Sequence, residues 1–415
     1  MTNVPPGWPD VPWCPIHDIR RVRFAQLPFT RQTTVNIDGP ERPDTSIQVR
    51  ETHMGGVLLV GSLAWKFKKP INLGFADFSS VAARRRACER EVELNSRFAP
   101  DIYLGVATLD LPGRVHEPLV AMRRLPDARR LANLVRRGED ADDALRDIAR
   151  TVAAVHARSP RTAAIDECAG DIALRTRWHN NLAEARRLTP PVLAAAEVDA
   201  VEVLADSYVE GRRRLFERRV VNGCAVDGHG DLTAEDIFCM PDGPRLLDCL
   251  EFDHRLRYVD RIDDASFLAM DLHRLGAPHL ALRFIDLYRE YTGDTAPPSL
   301  IEHYMAYRAM VRAKVTAIRA TQDDGPARSE ARRLLNETRT HLQNSEITLT
   351  LVGGIPGTGK STLAASLADR FGHVLLSSDR VRKELSGMDP RSAAPAGFGG
   401  GVYSPAMTAT AVLPG

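Results

Sequence analysis

The sequence predicts an α+β chain with a small β lobe, then a large helical lobe, then part of an α/β phosphate-loop (P-loop) NTPase domain. Three observations carry this. Short apolar runs and alternating residues crowd between 46 and 69, and one helix follows them. From about residue 141 the apolar positions take a helical period, interrupted by an acidic hairpin. Near the C-terminus a continuous apolar run leads into a glycine-rich loop.

The 415 residues suit two or three domains, divided here as 1–45 (an extension of unknown role), 46–335 and 345–415. A net charge of +1 argues against a nucleic-acid partner. No apolar run is long enough to span a bilayer, and the N-terminus lacks the order of a signal peptide. The six cysteines are scattered without C-x-x-C pairs, which argues against zinc or a disulfide framework and predicts a cytoplasmic protein. Arginine supplies nearly all the basic charge. Four of the few lysines (Lys66, Lys68, Lys69 and Lys360) stand where a compact ammonium suits a site.

In order, Ile47-Gln48-Val49-Arg50 alternates, Val57-Leu58-Leu59-Val60 is a buried run, and Leu63 to Lys68 alternates again. Turns at Met54-Gly55-Gly56 and Gly61-Ser62 make this a three-stranded meander. Lys66 and Lys68 then share a face, because strand residues two apart do. A helix over 81–98 follows, whose acids Glu89, Glu91 and Glu93 can pair with a strand lysine or simply face solvent. The strand Leu119-Val120-Ala121-Met122 exits on Arg123 and Arg124. Helices are predicted over 144–156, 194–219, 264–275 and 279–291, with a helical pair over 301–342 broken near 323–326.

Within the helical lobe, His229-Gly230-Asp231 opens a loop, Ile237 and Phe238 start a strand, and Pro241-Asp242-Gly243 turns into a second strand ending at Asp248. The hairpin gathers Asp231, Asp236 and Asp248 at one end of a small sheet. Carboxylates held together repel unless a cation lies between them, and magnesium prefers such hard oxygen donors. An acidic solvated turn is the alternative. It suits Asp242, but not Asp248, which follows Leu246-Leu247.

Near the C-terminus a predicted strand (347–352) feeds Gly354-Ile355-Pro356-Gly357-Thr358-Gly359-Lys360-Ser361-Thr362, a G-x-x-x-x-G-K-S loop before a helix over 363–371. Backbone N–H groups around Gly354, Gly357 and Gly359 would face phosphates, Lys360 adds a charge, and Ser361 offers magnesium a hydroxyl. A second strand, 374–377, ends beside Asp379. That carboxylate is either a base on a substrate hydroxyl or the N-cap of the next helix. A sheet of this kind needs further strands, so the domain is expected to be C-terminally incomplete.

Residues 46–335 resemble the aminoglycoside phosphotransferase-like branch of the protein-kinase fold, through the strand lysine, the helix Glu, His229-Gly230-Asp231 and Asp248. The chain is more closely similar to a bacterial family that fuses this domain to an AAA- or gluconate-kinase-like P-loop domain. Glu51-Thr52-His53, the run from Lys68 to Ser79, Leu94-Asn95 and Ala99-Pro100 carry that likeness. The resemblance implies ATP and Mg2+ as cofactors. It implies Lys66 or Lys68 on the phosphates, Glu91 orienting the lysine, Met122 and its neighbours at the adenine hinge, and His229 and Asp231 in the catalytic loop. Asp236 and Asp248 would hold metal, and Asp264 would brace the loop. Thr233 stands where the family usually has His, and Asp236 where it usually has Asn.

The expected function is an ATP-dependent phosphotransferase with a small hydroxylated acceptor and no nucleic-acid or membrane partner. The alternative is a catalytically weak, pseudokinase-like nucleotide-binding regulator. Aminoglycosides are polycations and would favour an acidic pocket, whereas 160–225 is rich in arginine, among them Arg175, Arg177, Arg186 and Arg187.

Overall fold

The computed structural model describes residues 23–24, 48–51, 54–72, 77–110, 116–188, 191–321, 325–347, 349–355, 357–371, 374–389, 392 and 400–412. Most of the N-terminal extension, Thr52-His53, 73–76 and 322–324 therefore lie outside the described residues. The chain divides into two compact units, Met1–Glu346 and Ile347–Gly415.

The first unit opens with a sheet of β1 (Arg23–Phe24), β2 (Gln48–Glu51), β3 (Gly55–Val60), β4 (Leu63–Lys68), β5 (Tyr103–Asp110) and β6 (Glu117–Arg123). The spatial order is β1-β5-β6-β4-β3-β2, with every neighbouring pair antiparallel. Gly61-Ser62 closes the β3–β4 hairpin with Val60 opposite Leu63, and Gly61 takes the left-handed φ of 55° that such a turn demands. Gly55 and Gly56, expected in a turn, belong instead to β3. A Cβ on Gly55 would meet the Phe67 carbonyl oxygen at 2.1 Å, so glycine here permits close strand approach.

Helix α1 (Val81–Asn95) follows β4, capped by Ser80, whose hydroxyl accepts from the Ala83 N–H. It stops three residues short of the predicted Phe98. Asn95 turns its side chain to the Glu91 carbonyl (2.8 Å) and accepts from the Cys249 N–H (2.8 Å), tying the helix end to the acidic segment.

The helical lobe comprises α2 (Leu131–Arg136), α3 (Asp142–Ala157), α4 (Ala163–Ala169), α5 (Asp171–Arg186), α6 (Ala195–Gly211) and α7 (Arg213–Val221). Then come β7 (Ala225–Asp227), β8 (Ile237–Met240), β9 (Gly243–Leu246), β10 (Tyr258–Asp260), α8 (Arg261–Arg274), α9 (Pro278–Thr292), α10 (Pro298–Ala320) and α11 (Pro326–Asn344). One core runs through the lobe, in which the α3 stripe Leu145, Ile148 and Val152 packs towards α9, α9 on α8, and α8 on α10. The single helix expected over 194–219 is two. It breaks at Arg212 (φ −129°, ψ 23°), whose guanidinium lies 4.2 Å from the Tyr208 ring centroid.

Buried polar groups fasten these helices. Arg219 joins Asp260 and Asp294, linking α7 to the start of α8. His303 on α10 is fully buried, accepts from the Trp178 indole N–H at 3.2 Å and stacks on Tyr208 at 4.2 Å. Burial, aided by the nearby Arg212 charge, pushes its pKa down to about 3. The unfolded chain binds that proton near pH 6.5, so its contribution is complete above pH 6.5 and is lost as pH falls towards 3. His303→Gln keeps an acceptor for Trp178. It should reduce the stability lost between pH 7 and pH 5 by about 2 kcal/mol relative to wild type, read from urea unfolding at both pH values.

In the second unit α12 (Lys360–Phe371), α13 (Ser378–Leu385) and α14 (Pro405–Val412) form as helices. The strands expected over 347–352 and 374–377 are not formed among the described residues. Leu351 and Val374 are each 84% exposed, and an apolar strand of this type is stable only between paired neighbours. No helix among the described residues is long and apolar enough to cross a membrane.

Candidate active site

The antiparallel pleat puts Lys66 and Lys68 on one face of β4, towards α1. Glu91, fully buried on that helix, receives both: Lys66 Nζ lies 2.8 Å from one carboxylate oxygen and Lys68 Nζ 2.7 Å from the other. Lys66 also pairs with Asp248, and Lys68 with Glu251. Five charges thus form one row, Asp248–Lys66–Glu91–Lys68–Glu251. Desolvation opposes charge on Lys66 and Lys68, but the facing carboxylates outweigh it and hold both above the ordinary lysine range.

Across the cleft, Asp264 on α8 braces the catalytic-type loop. Its two oxygens accept from the His229 N–H (2.8 Å) and the Gly230 N–H (2.7 Å), and His156 Nε2 lies 3.0 Å away. Gly228 leaves room for this carboxylate, since a Cβ there would lie 2.6 Å from it. Arg308 adds a second clamp from α10, donating to the Gly230 carbonyl at 3.1 Å while pairing with Asp263 at 2.7 Å. The Asp231 side chain at the tip of this loop has no hydrogen-bond partner among the described residues. Burial pushes its pKa up to about 6; Arg312 pulls it down, and Asp248 pushes it further up.

His229, expected as a catalytic residue, is a loop support instead. It is fully buried, with Nε2 3.1 Å from the Leu247 carbonyl and Nδ1 accepting from the Asp231 N–H at 3.4 Å. Burial pushes its pKa down to about 4, so it stays neutral and meets no solvent.

The β8–β9 hairpin gathers the remaining acids as expected from its pattern, with Ile237 opposite Leu246. Asp236 precedes β8, accepts from the Thr233 hydroxyl at 2.8 Å, and is pushed up to about 7 by burial and by the charges of Asp248 and Asp231. Asp248 follows β9. It alone among described non-glycine residues has a left-handed φ, 68°, a strain typical of sites where geometry is imposed. Desolvation opposes its ionisation, but Lys66 outweighs it and holds the carboxyl below the usual range. The two carboxyls act on each other electrostatically, and such hard oxygen donors suit a divalent cation.

Met122 stands just before the expected hinge. It lies inside β6, paired in the ladders with Ala64 and Tyr103, and its side chain is buried in the sheet core. The strand ends one residue later, and the connection to the helical lobe falls at 124–126, before the short turn Asp127–Arg129.

Sequence reading missed Glu251, Asp263 and the Arg308 clamp. Glu251 had a faint signal, standing three residues after Asp248 in the same acidic run. Arg308 had none, because its partners lie 45 and 78 residues away.

In the second unit, Gly357 and Gly359 both take φ of 80°, and Ser361 and Thr362 lie in the first turn of α12. Lys360 Nζ donates to the Ile355 carbonyl at 2.6 Å, and Gly354 takes φ 154° beside it. Asp379 is not the N-cap of α13; Ser377 is, because it stands one place before the first helical residue. Asp379 pairs with Lys383 (2.7 Å) and accepts from the Tyr403 hydroxyl (2.8 Å), so both its oxygens are engaged within the unit.

The two lobes, the lysine–glutamate pair and the braced loop define a protein-kinase-like domain followed by a P-loop segment. Residues 349–411 match the family described as AAA domain. The uncharacterized protein Rv2004c of Mycobacterium tuberculosis and an uncharacterized protein of Mycobacterium bovis are each 46% identical over 366 residues, 88% of this chain and 74% of theirs. The chain belongs to the family of these mycobacterial proteins, which joins a kinase-like domain to a P-loop domain.

Solved structures similar to the chain include a choline/ethanolamine kinase family protein from Mesorhizobium loti (15% identical, 73% of this chain, 92% of that chain, TM-score 0.44). A glucosamine kinase is 16% identical over 74% of this chain and 84% of its own, with TM-score 0.39. At these values neither assigns a role to any residue.

Proposed function

We propose that the two-lobed domain is an ATP-dependent phosphotransferase acting on a hydroxyl of a small molecule. One observation carries the reading: Asp264 and Arg308 pin the backbone of His229 and Gly230 just before Asp231, whose carboxylate has no hydrogen-bond partner among the described residues. A base must be fixed in place yet unengaged, and a carboxyl near pH 6 is ionised at neutrality but close enough to accept a proton.

The acceptor hydroxyl oxygen attacks the γ-phosphorus of ATP. The bond from that phosphorus to the bridging oxygen breaks, the hydroxyl proton passes to Asp231, and ADP leaves. Lys66, oriented by Glu91, is the group for the α- and β-phosphates, and it must release Asp248 to reach them. Lys68 is tied between Glu91 and Glu251 and keeps Glu91 compensated during that exchange. Asp236 and Asp248 are the residues to hold magnesium, which when bound supplies positive charge against the β- and γ-phosphates. The phosphate loop of the second unit is a second, weaker nucleotide site, formed by Gly354, Gly357, Gly359, Lys360, Ser361 and Thr362.

The closed Lys66–Asp248 pair favours a second reading, a nucleotide sensor in which binding opens this pair without turnover. Calorimetric titration with an ATP analogue, with and without magnesium, tests the assignment. Asp248→Asn should weaken magnesium-dependent binding about tenfold or more, and Lys360→Ala should remove only the weaker class of sites. Binding indifferent to both magnesium and Asp248→Asn would sink the first reading. Magnesium-dependent binding without turnover of any acceptor would leave the sensor.

A further inference from the structure

The acceptor side of Asp231 carries a positive charge that the transfer reaction itself leaves unassigned. Helix α10 runs unbroken from Pro298 to Ala320 and passes beside the catalytic-type loop, where Arg308 donates to the Gly230 carbonyl at 3.1 Å. Arg312 lies one turn further along the same stripe, because residues four apart share a helix face. Arg308 is buried and neutralised by Asp263 at 2.7 Å. Arg312 is only half-buried, and it has no hydrogen bond or ion pair among the described residues.

Its placement sets it apart from the lysine row. After desolvation, Arg312 is the largest charge acting on Asp231. The largest charges acting on Asp248 are those of Lys66 and Lys68, and the largest on Asp236 are those of Asp248 and Asp231. Arg312 therefore acts on Asp231 from α10 in the helical lobe, whereas the lysine row stands on β4 and α1 of the sheet lobe. A guanidinium held half out of water without a carboxylate is ready for an oxyanion, which it grips by two parallel hydrogen bonds. An ammonium placed there would be repelled.

Building on the phosphotransferase reading above, we propose that the acceptor is a hydroxylated anion, and that Arg312 binds its carboxylate or phosphate while Asp231 takes the proton of its hydroxyl. The hydroxyl oxygen then forms the new bond to the γ-phosphorus of ATP, and ADP departs as before. Arg312 is a specificity-determining residue in this scheme, discriminating by charge rather than by shape.

The test uses the full chain and four matched probes: glucose (neutral), glucosamine (cationic), gluconate (carboxylate) and glucose 6-phosphate (phosphate). Binding is read as the shift in thermal midpoint with a non-hydrolysable ATP analogue and magnesium present. Turnover is read as ADP release with ATP. Gluconate or glucose 6-phosphate should bind at least about tenfold more tightly than glucose, and glucosamine more weakly. Which of the two anions leads separates a carboxylate acceptor from a phosphate one. In Arg312→Gln the ratio of anion to glucose affinity should fall towards one, and Arg312→Lys should restore part of it. A wild-type protein that binds glucose or glucosamine as well as the anions overturns the proposal, as does an anion preference that survives Arg312→Gln. Failure of the phosphotransferase reading looks different: charge-selective binding that depends on Arg312, with no ADP release from any probe.

Discussion

Turnover in Asp231→Asn is expected to fall by about three orders of magnitude, with nucleotide affinity changed by no more than about threefold. The size follows from what the substitution removes. Asparagine keeps the volume and the loop, since Asp264 and Arg308 hold the backbone of His229 and Gly230 rather than the side chain of residue 231. It cannot accept a proton, so the acceptor oxygen would have to attack while still protonated. Steady-state ADP release, with thermal unfolding to show the fold intact, measures this. Rates equal to wild type would remove Asp231 from the mechanism. The complementary substitution Asp264→Asn should slow turnover less, because it loosens the loop but leaves the base.

The elements around this site were legible to the degree that their signal is local. Alternation showed β2 to β4, and the two-residue spacing of Lys66 and Lys68 put both on the face where Glu91 receives them. The hairpin from Ile237 to Leu246 followed from a turn between apolar runs. What stayed hidden depends on residues far apart in the chain. Lys68 and Glu251 are 183 positions apart, and Arg308 and Gly230 are 78 apart, so neither pair leaves a pattern in a short window. His229 misled for a related reason. The His-Gly-Asp spelling is the same whether the imidazole meets substrate or supports the loop, and only its complete burial decides. The apolar runs near 349–351 and 374–376 misled in the opposite direction. Composition favours strands there, yet a strand exists only through its ladder partners. Asp236 shows how a substitution can preserve geometry. With its pKa near 7 it is protonated for part of the time and then offers one donor and one acceptor side, as an asparagine amide does with its N–H and C=O.

The row Asp248–Lys66–Glu91–Lys68–Glu251 sets the largest expected stability effects, and its charge count gives their order. Three carboxylates face two ammonium groups, a surplus of one negative charge. Lys68→Met raises that surplus to two in a region where Lys68 and Glu251 side chains are only 4% and 5% exposed, and should cost about 3–5 kcal/mol. Glu251→Gln removes the surplus instead and should cost clearly less, although Lys68 loses one of its two partners. The double substitution returns the count to minus one and leaves no lone ammonium. It should therefore be more stable than the sum of the singles by about 1–3 kcal/mol, a coupling that urea unfolding of the four proteins measures directly. Strict additivity would mean that the two groups do not act on each other. Lys66→Met should behave differently from both. The charge count changes equally, but Asp248 has a side chain 46% exposed and can turn to water while buried Glu91 keeps Lys68, so the loss falls on nucleotide binding more than on the fold. That contrast assigns the work within the row: Lys68 and Glu251 keep Glu91 in place, and Lys66 is the charge that is free to move.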